Sequence, residues 1–218
     1  MKTHPSRYDD DWSRFSSLSR MVNHWDRPGW TSGRSAYYWY MTFDSPSLVG
    51  LATECQSKFV PDDFDIVEAD WLHLSVIKLA WSDETAMGEV SQVVRRARSA
   101  CEVVEPFSLD VGPLAGSAGA IRFSVTPWEP VVDLRVRLGN ANLPRLEPTS
   151  TSPFLPHITI AYSNQVRAAG PVIAGVAEAK NVPQVRVNIG DVALVEVRRH
   201  GHSYKWNTVE RIPLAGNG

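Results

Sequence analysis

The chain has 218 residues, of which 43% are hydrophobic and 21% charged, as in an ordinary soluble globule with one domain or two small lobes on a shared core. Its net charge of −2 argues against a broad basic surface for nucleic acid. No apolar run approaches the roughly 20 residues of a membrane span, and the polar N-terminus lacks a signal-peptide core. We expect a cytoplasmic protein with no membrane or DNA partner, and a monomer.

Residues 1–35 are a polar N-terminal extension, rich in Ser, Arg and Asp and without a clear hydrophobic period. We expect its first 20 or so residues to be mobile. Residues 27–30, Arg-Pro-Gly-Trp, indicate a turn-rich loop that leads into the first strand. Trp30 or Arg34 could bind substrate there, by stacking on a base or contacting a phosphate. An aromatic lid over a sheet edge is at least as good an interpretation.

The rest of the chain, residues 36–218, is expected to form one domain of short strands and helices. Apolar alternation and helical stripes predict strands at 37–43, 64–68, 71–79, 107–114, 121–125, 157–162, 185–187, 192–199 and 204–214. Helices are predicted at 46–59, 85–101 and 130–138, and from 163 to about 180 with an interruption at Gly170-Pro171. This order implies an α+β fold with mainly antiparallel strands. The connection 140–156 is long enough to suggest a functional loop.

No cofactor or metal is expected from the cysteines and histidines outside the strands. Cys55 and Cys101 fall on the apolar sides of predicted helices, which favours buried free thiols over a disulfide or a metal pair. His200 and His202 could point two imidazoles the same way, but Gly201 between them indicates a hairpin turn. No third ligand is evident in the sequence.

Two strand segments far apart in the chain carry the same pattern. Residues 73–76 read His-Leu-Ser-Val and residues 157–160 read His-Ile-Thr-Ile. Residues two apart on a strand share a face, so each histidine projects with its hydroxyl while the apolar residues face the core. The resulting pairs are His73 with Ser75 and His157 with Thr159.

These pairs have the chemistry needed to break a phosphodiester without a metal. Histidine can give or take a proton near neutral pH, and a hydroxyl can donate a hydrogen bond to an oxyanion. A single such pattern is more often a structural histidine. Two copies in a chain with only six histidines favour a shared catalytic cleft.

The paired motif resembles that of the 2H phosphoesterase superfamily, in particular its bacterial 2′-5′ RNA ligase-like (LigT-like) branch, and the element order agrees over residues 37–214. The resemblance implies a bilobed fold in which two antiparallel sheets flank a central cleft, with helices on the outside. It implies a metal-independent phosphodiesterase that hydrolyses 2′,3′-cyclic phosphate, or 2′-5′ linked, nucleotide or RNA ends. His73 would then be the acid and His157 the base, with Ser75 and Thr159 binding the phosphate.

The chain departs from the superfamily pattern at two positions. Ser75 stands where Thr is commoner, and Tyr162 stands where many members carry Arg. By strict alternation, Tyr162 and Lys78 would face away from the histidines. Two other functions stay open: a protein that binds or ligates RNA ends, and a relative that acts on a non-RNA cyclic phosphate or another metabolite.

Overall fold

A computed structural model of the chain describes residues 7–62, 64–143, 154–179 and 182–215. Its α-helices are α1 (Arg7–Ser16), α2 (Pro46–Phe59), α3 (Met87–Cys101), α4 (Glu129–Ala141) and α5 (Gly170–Glu178). Its strands are β1 (Arg20–Met21), β2 (Ser35–Thr42), β3 (Asp65–Ile66), β4 (His73–Trp81), β5 (Phe107–Ser117), β6 (Ala120–Thr126), β7 (His157–Tyr162), β8 (Arg167–Ala168), β9 (Val185–Ile189), β10 (Asp191–His200) and β11 (Ser203–Pro213). None of the helices in these ranges is long and apolar enough to cross a membrane.

Two antiparallel sheets make up the body of the protein. One has the strand order β11-β10-β2-β4 and the other the order β3-β7-β6-β5-β9, while β1 and β8 form a separate pair. The strands that carry the two histidine motifs, β4 and β7, contact each other where the sheets meet. The predicted α+β class with two antiparallel sheets is therefore confirmed.

The predicted helices form where their capping and apolar residues indicate. Ser45 caps α2, since its Oγ accepts a hydrogen bond from the Leu48 amide at 3.3 Å, and Pro46 follows at the first helical position. Cys55 of α2 and Cys101 of α3 are buried and free, as expected. These thiols contribute to the apolar core that each helix shares with the sheets.

Two predictions around the second half of the chain need correction. Gly170 and Pro171 begin α5 and do not interrupt a longer helix, because proline is well suited to the first turn, where its missing amide has no partner to lose. The predicted loop 140–156 starts later than expected, since α4 continues to Ala141. Residues 144–153 of that loop lie outside the described part of the chain.

Each motif strand carries a β-bulge directly after its hydroxyl residue. In the pairing of β4 with β2 the register skips Val76, which follows Ser75, and in the pairing of β7 with β6 it skips Ile160, which follows Thr159. An extra residue reverses the in-and-out alternation of everything beyond it. Both strands therefore change face at equivalent points.

Side chains from two helices bind the carbonyl groups at these bulges. Arg135 of α4 donates a hydrogen bond to the Val76 carbonyl, and Gln56 of α2 donates one to the Ile160 carbonyl at 3.0 Å. A buried carbonyl without a partner is costly, so these contacts stabilise the irregular backbone at both motifs.

The N-terminal segment is packed against the second sheet from α1 onward. Asp11 and Phe15 of this helix are buried, and the Phe15 ring lies over Gly116, where an added Cβ would come within 2.4 Å of it. No helix is predicted before the first strand, because α1 is mostly polar and has few apolar residues that would show a helical period. The expected mobility of the first 20 or so residues stays a prediction. The part of that expectation that concerns residues 1–6 lies outside the described residues.

Candidate active site

The structure brings His73, Ser75, His157 and Thr159 together in one cavity of about 230 Å³. The first pair comes from β4 and the second from β7, the two strands at which the sheets meet. The remaining residues of the wall, which come mainly from the N-terminal segment and from aromatic positions on the strands, are His24, Arg27, Trp30, Tyr38, Tyr40, Tyr162 and Tyr204.

Both motif histidines have the same hydrogen-bonding arrangement. Nδ1 of His73 donates to the Trp71 carbonyl at 2.8 Å, and Nδ1 of His157 donates to the Leu155 carbonyl at 2.6 Å. Because a carbonyl can only accept, Nδ1 carries the proton in each neutral ring. Nε2 is then the nitrogen that can accept a proton on the cavity side.

His73 is held between aromatic rings. Its imidazole stacks on Tyr40, with ring centroids 4.1 Å apart and an interplanar angle of 15°, and the ring of Trp206 meets it edge-on at 5.0 Å. Burial disfavours the charged imidazolium and lowers the pKa of His73 to about 4, against a smaller opposing effect of the hydrogen bond to the Trp71 carbonyl. His73 is therefore neutral at pH 7.

His157 differs from His73 because a cation lies beside it. Nη1 of Arg122 is 3.2 Å from Nδ1 of His157, and Nη2 of the same guanidinium is paired with Asp11 at 2.5 Å. Burial first, and then the charge of Arg122, lower the pKa of His157 to about 3. The structure thus distinguishes the two imidazoles, which the sequence leaves equivalent.

The two hydroxyls each interact with a tyrosine of the wall. Ser75 lies beside the phenol of Tyr40, and Thr159 lies beside the phenol of Tyr162. Burial raises the pKa of both phenols, so they stay neutral. The wall can therefore offer a phosphate several neutral hydrogen-bond donors.

The family assignment follows from a comparison with known protein families. A model of the 2′-5′ RNA ligase superfamily matches residues 45–201, which is most of the chain. The chain belongs to this superfamily. Both histidine motifs lie inside the matched range, and the resemblance to the 2H phosphoesterases is confirmed.

Several solved structures have the same fold. Escherichia coli LigT complexed with 3′-AMP superposes with a TM-score of 0.64 at 15% identity, covering 83% of this chain and 98% of that chain. The TT0787 protein of Thermus thermophilus gives a TM-score of 0.58 at 20% identity, covering 85% and 100%. A crystal structure described as a phosphoesterase gives 0.63 at 14% identity, covering 84% and 99%. These identities establish the fold alone, and a comparison with curated protein sequences gives no match.

Only one of the two further binding residues suggested by the sequence reaches the cleft of this superfamily member. Trp30 is part of the wall, with its ring centroid 5.0 Å from that of Trp81. Arg34 is not in the wall, and its guanidinium binds the carboxylates of Asp83 at 2.9 Å and Glu84 at 2.5 Å. Its charge is therefore already compensated outside the cavity.

The expectation that Tyr162 faces away from His157 is wrong. Tyr162 lines the cavity because the bulge at Ile160 turns it to the face of His157. Lys78 follows the corresponding bulge in β4 and pairs with Tyr38, another wall residue, so it too lies on the cleft face of its strand. Nothing in the local sequence marks a bulge.

Sequence analysis also missed His24 and Arg27, which lie before the range matched by the superfamily model. Arg27 appears in the sequence only as part of a turn, and His24 has no neighbouring motif. Their place in the wall depends on how the N-terminal segment crosses the sheets. That path is a tertiary feature without a local signal.

The turn around Gly201 forms as predicted, with a positive φ of 57° at the glycine. His202 stacks on Trp25 at 5.2 Å, and its Nδ1 is 3.0 Å from the Asp65 carboxylate. Within the described ranges, no group of three or more His, Cys, Asp or Glu side chains is placed to hold a metal ion. His202 thus has a packing role against the N-terminal segment.

Proposed function

We propose that the protein is a phosphodiesterase that hydrolyses the 2′,3′-cyclic phosphate of nucleotides or RNA ends by two-histidine acid–base catalysis. The observation that carries this proposal is the pair of imidazoles in one cavity. In each of them Nδ1 donates to a backbone carbonyl, which leaves Nε2 available for proton transfer. An acid and a base on either side of a phosphorus atom are what in-line hydrolysis needs. The proposed reaction uses no metal ion.

In this mechanism the cyclic phosphate lies between the two motifs, and Ser75 and Thr159 donate hydrogen bonds to its non-bridging oxygens. Nε2 of His157 takes a proton from water as the water oxygen bonds to phosphorus. Protonated His73 gives its Nε2 proton to the ribose 3′-oxygen as the phosphorus–oxygen bond breaks. The product is a 2′-phosphate, and proton exchange with solvent resets the two rings.

The surroundings of the two rings support this assignment of acid and base. Arg122 opposes a second positive charge on His157, which supports the role of base for that residue. Among the described residues, no charged group acts on His73 in the same way. An anionic phosphate beside His73 stabilises its imidazolium, so the substrate itself helps to protonate the acid.

The cavity favours a single nucleotide as the part of the substrate that binds inside it. Its volume of about 230 Å³ is below the roughly 300–1,000 Å³ of clefts that enclose drug-sized ligands. Trp30, at the edge of the cavity, offers a flat ring on which a base can stack. LigT, which shares the fold, has been crystallised in complexes with 3′-AMP, ATP and NADP⁺.

Hydrolysis of a 2′,3′-cyclic mononucleotide in excess chelator tests the proposal. His73→Gln and His157→Gln should each lower kcat by about 10²- to 10⁴-fold, the usual contribution of a general acid or base. His200→Gln, at an exposed site next to the hairpin turn, is the matched control and should keep full activity. Wild-type activity in both cavity variants would refute the mechanism.

A second candidate function, 2′-5′ ligation, is suggested by the description of the superfamily. Joining a 2′,3′-cyclic end to a 5′-hydroxyl uses the same acid and base, with the hydroxyl replacing water. Product analysis with a cyclic-phosphate oligonucleotide and a 5′-hydroxyl oligonucleotide distinguishes the two. A joined product that depends on His73 and His157 would favour ligation.

A further inference from the structure

The N-terminal segment supplies a side of the cavity that the superfamily match does not include. His24, Arg27 and Trp30 all line the cavity, whereas the match begins at residue 45. Backbone hydrogen bonds fix this part of the chain to the second sheet, since the Val22 amide donates to the Ala118 carbonyl at 2.7 Å. The N-terminal segment is thus an ordered part of the cavity wall, held by backbone hydrogen bonds.

Arg27 is the one permanently charged residue among the residues that line the cavity. The described wall contains no carboxylate. The neighbouring Asp26 accepts a hydrogen bond from Asn23 at 3.3 Å, and no described carboxylate pairs with Arg27. Its charge therefore stays available at the mouth of the cavity, in contrast to that of Arg34, which is paired with Asp83.

A buried neutral histidine holds the Arg27 guanidinium. Nη2 of Arg27 donates to Nδ1 of His24 at 3.3 Å, and the His24 ring packs against Tyr162 with centroids 4.0 Å apart. Burial first, and then the charge of Arg27, lower the pKa of His24 to about 2. His24 therefore stays neutral and fixes the arginine without cancelling its charge, as a carboxylate would.

The charge of Arg27 reaches the catalytic side of the cavity. Burial lowers the pKa of His157 and raises the pKa of the Tyr162 and Tyr204 phenols, and the charge of Arg27 adds to the first effect and opposes the second, as expected of a nearby cation. The hydroxyls of the wall can orient a phosphodiester but carry no charge, and His73 is charged only while it holds the proton that it gives to the leaving oxygen. Charge-assisted hydrogen bonds from a guanidinium are roughly twice as strong as neutral ones.

We infer that Arg27, held by His24, binds the phosphate group of the substrate at the mouth of the cavity. This inference rests on the proposed function for the identity of the substrate, a cyclic phosphodiester. The ligand chemistry is that of a phosphate anion that accepts hydrogen bonds from the guanidinium. His24 is a positioning residue in this arrangement.

Titration of the full-length protein with inorganic phosphate, followed by calorimetry, tests the site without any turnover. Arg27→Gln should weaken phosphate binding by at least about tenfold, the effect of losing a charge-assisted contact, and Arg27→Lys should recover part of it. Arg20→Gln removes the same charge from an exposed position of the same segment and should bind like the wild type. Equal binding by Arg27→Gln and the wild type, or no binding by either, would overturn the inference.

Kinetics with a 2′,3′-cyclic mononucleotide separate binding from chemistry. Arg27→Gln should raise KM more than it lowers kcat, and His24→Phe, which keeps the ring against Tyr162 but loses the acceptor, should raise KM to a smaller extent. A purely structural role of His24 would instead lower the melting temperature and leave KM unchanged. The protein could also bind phosphate through Arg27 and yet hydrolyse no cyclic nucleotide. That result would support the anion site and refute only the proposed function.

Discussion

Arg122 connects a residue of the N-terminal helix to the proposed base: its guanidinium is paired with Asp11 at 2.5 Å and lies 3.2 Å from Nδ1 of His157. Ser124 donates a second hydrogen bond to the same carboxylate at 2.6 Å. Asp11 and Arg122 are both buried, so their positions are fixed by packing as well as by charge. Helix α1, which precedes the superfamily match, is therefore connected through Arg122 to His157 and not to His73.

Removal of the cation should raise the pKa of His157. In Arg122→Gln the like charge that opposes the imidazolium is lost, so we expect the pKa to move up from about 3 toward its ordinary value. Proton NMR of the imidazole during a pH titration measures this directly. The pKa of His73 serves as the internal control and should not move. An unchanged pKa of His157 would show that burial alone sets it.

Loss of Asp11 should destabilise the fold. Asp11→Ala leaves Arg122 as an uncompensated charge with a relative exposure of 6%, a situation that typically costs about 3–5 kcal/mol. Denaturant unfolding of the purified protein provides the free energy. Asp10→Ala, on the exposed side of the same helix, is the matched control and should change stability by less than about 0.5 kcal/mol. Equal effects of the two changes would contradict the role given to this pair.

The rate should fall toward alkaline pH. In the proposed mechanism His73, the acid, must be protonated and His157, the base, must be neutral; burial lowers the pKa of both, to about 4 and about 3. As pH rises above the pKa of His73, the protonated fraction of free enzyme decreases, so kcat/KM should decline from about pH 5 to about pH 8. The decline of kcat should occur at higher pH, because bound phosphate favours the imidazolium. A kcat/KM that climbs throughout this range would argue against the assigned roles.

Trp30 should contribute to binding of the nucleobase of the substrate and not to binding of its phosphate. Base stacking on an aromatic ring is worth about 1–3 kcal/mol, so Trp30→Ala should raise KM for a cyclic mononucleotide by roughly five- to a hundredfold. Ribose 2′,3′-cyclic phosphate, which lacks a base, is the control substrate and should show the same KM with both proteins. A loss of equal size for both substrates would assign Trp30 a structural role at the cavity mouth.

The sequence predicts the pairing of each motif histidine with its hydroxyl because that relation depends only on the two-residue repeat of a strand. His73 with Ser75, and His157 with Thr159, precede the bulges and so obey the rule. Their meeting in one cavity could be inferred only from the repeated motif and the family resemblance, since no local property links residues so far apart.

The site residues that could not be predicted from the sequence lie beyond the bulges or interact with the N-terminal segment. Tyr162 changes face because of one skipped residue, and backbone irregularities of this kind have no residue signature. Arg122 and Asp11 look like ordinary surface charges until the sheet brings them together. His24 and Arg27 reach the cavity through a path set by packing over the whole fold.

The bulges make residue number within each motif strand as important as residue type. Tyr162 and Lys78 both stand five places after a motif histidine, and both lie on the cleft face only because one residue is skipped on the way. Deletion of Ile160 would remove the extra residue and give a regular strand in which the Tyr162 phenol still shares the face of Thr159, with Ala161 between them turned toward the core. The same chain paired with β6 without the bulge would instead turn the phenol toward the core and present the small Ala161 methyl to the ligand, so this one extra residue shapes the pocket while His157 and Thr159 keep their places.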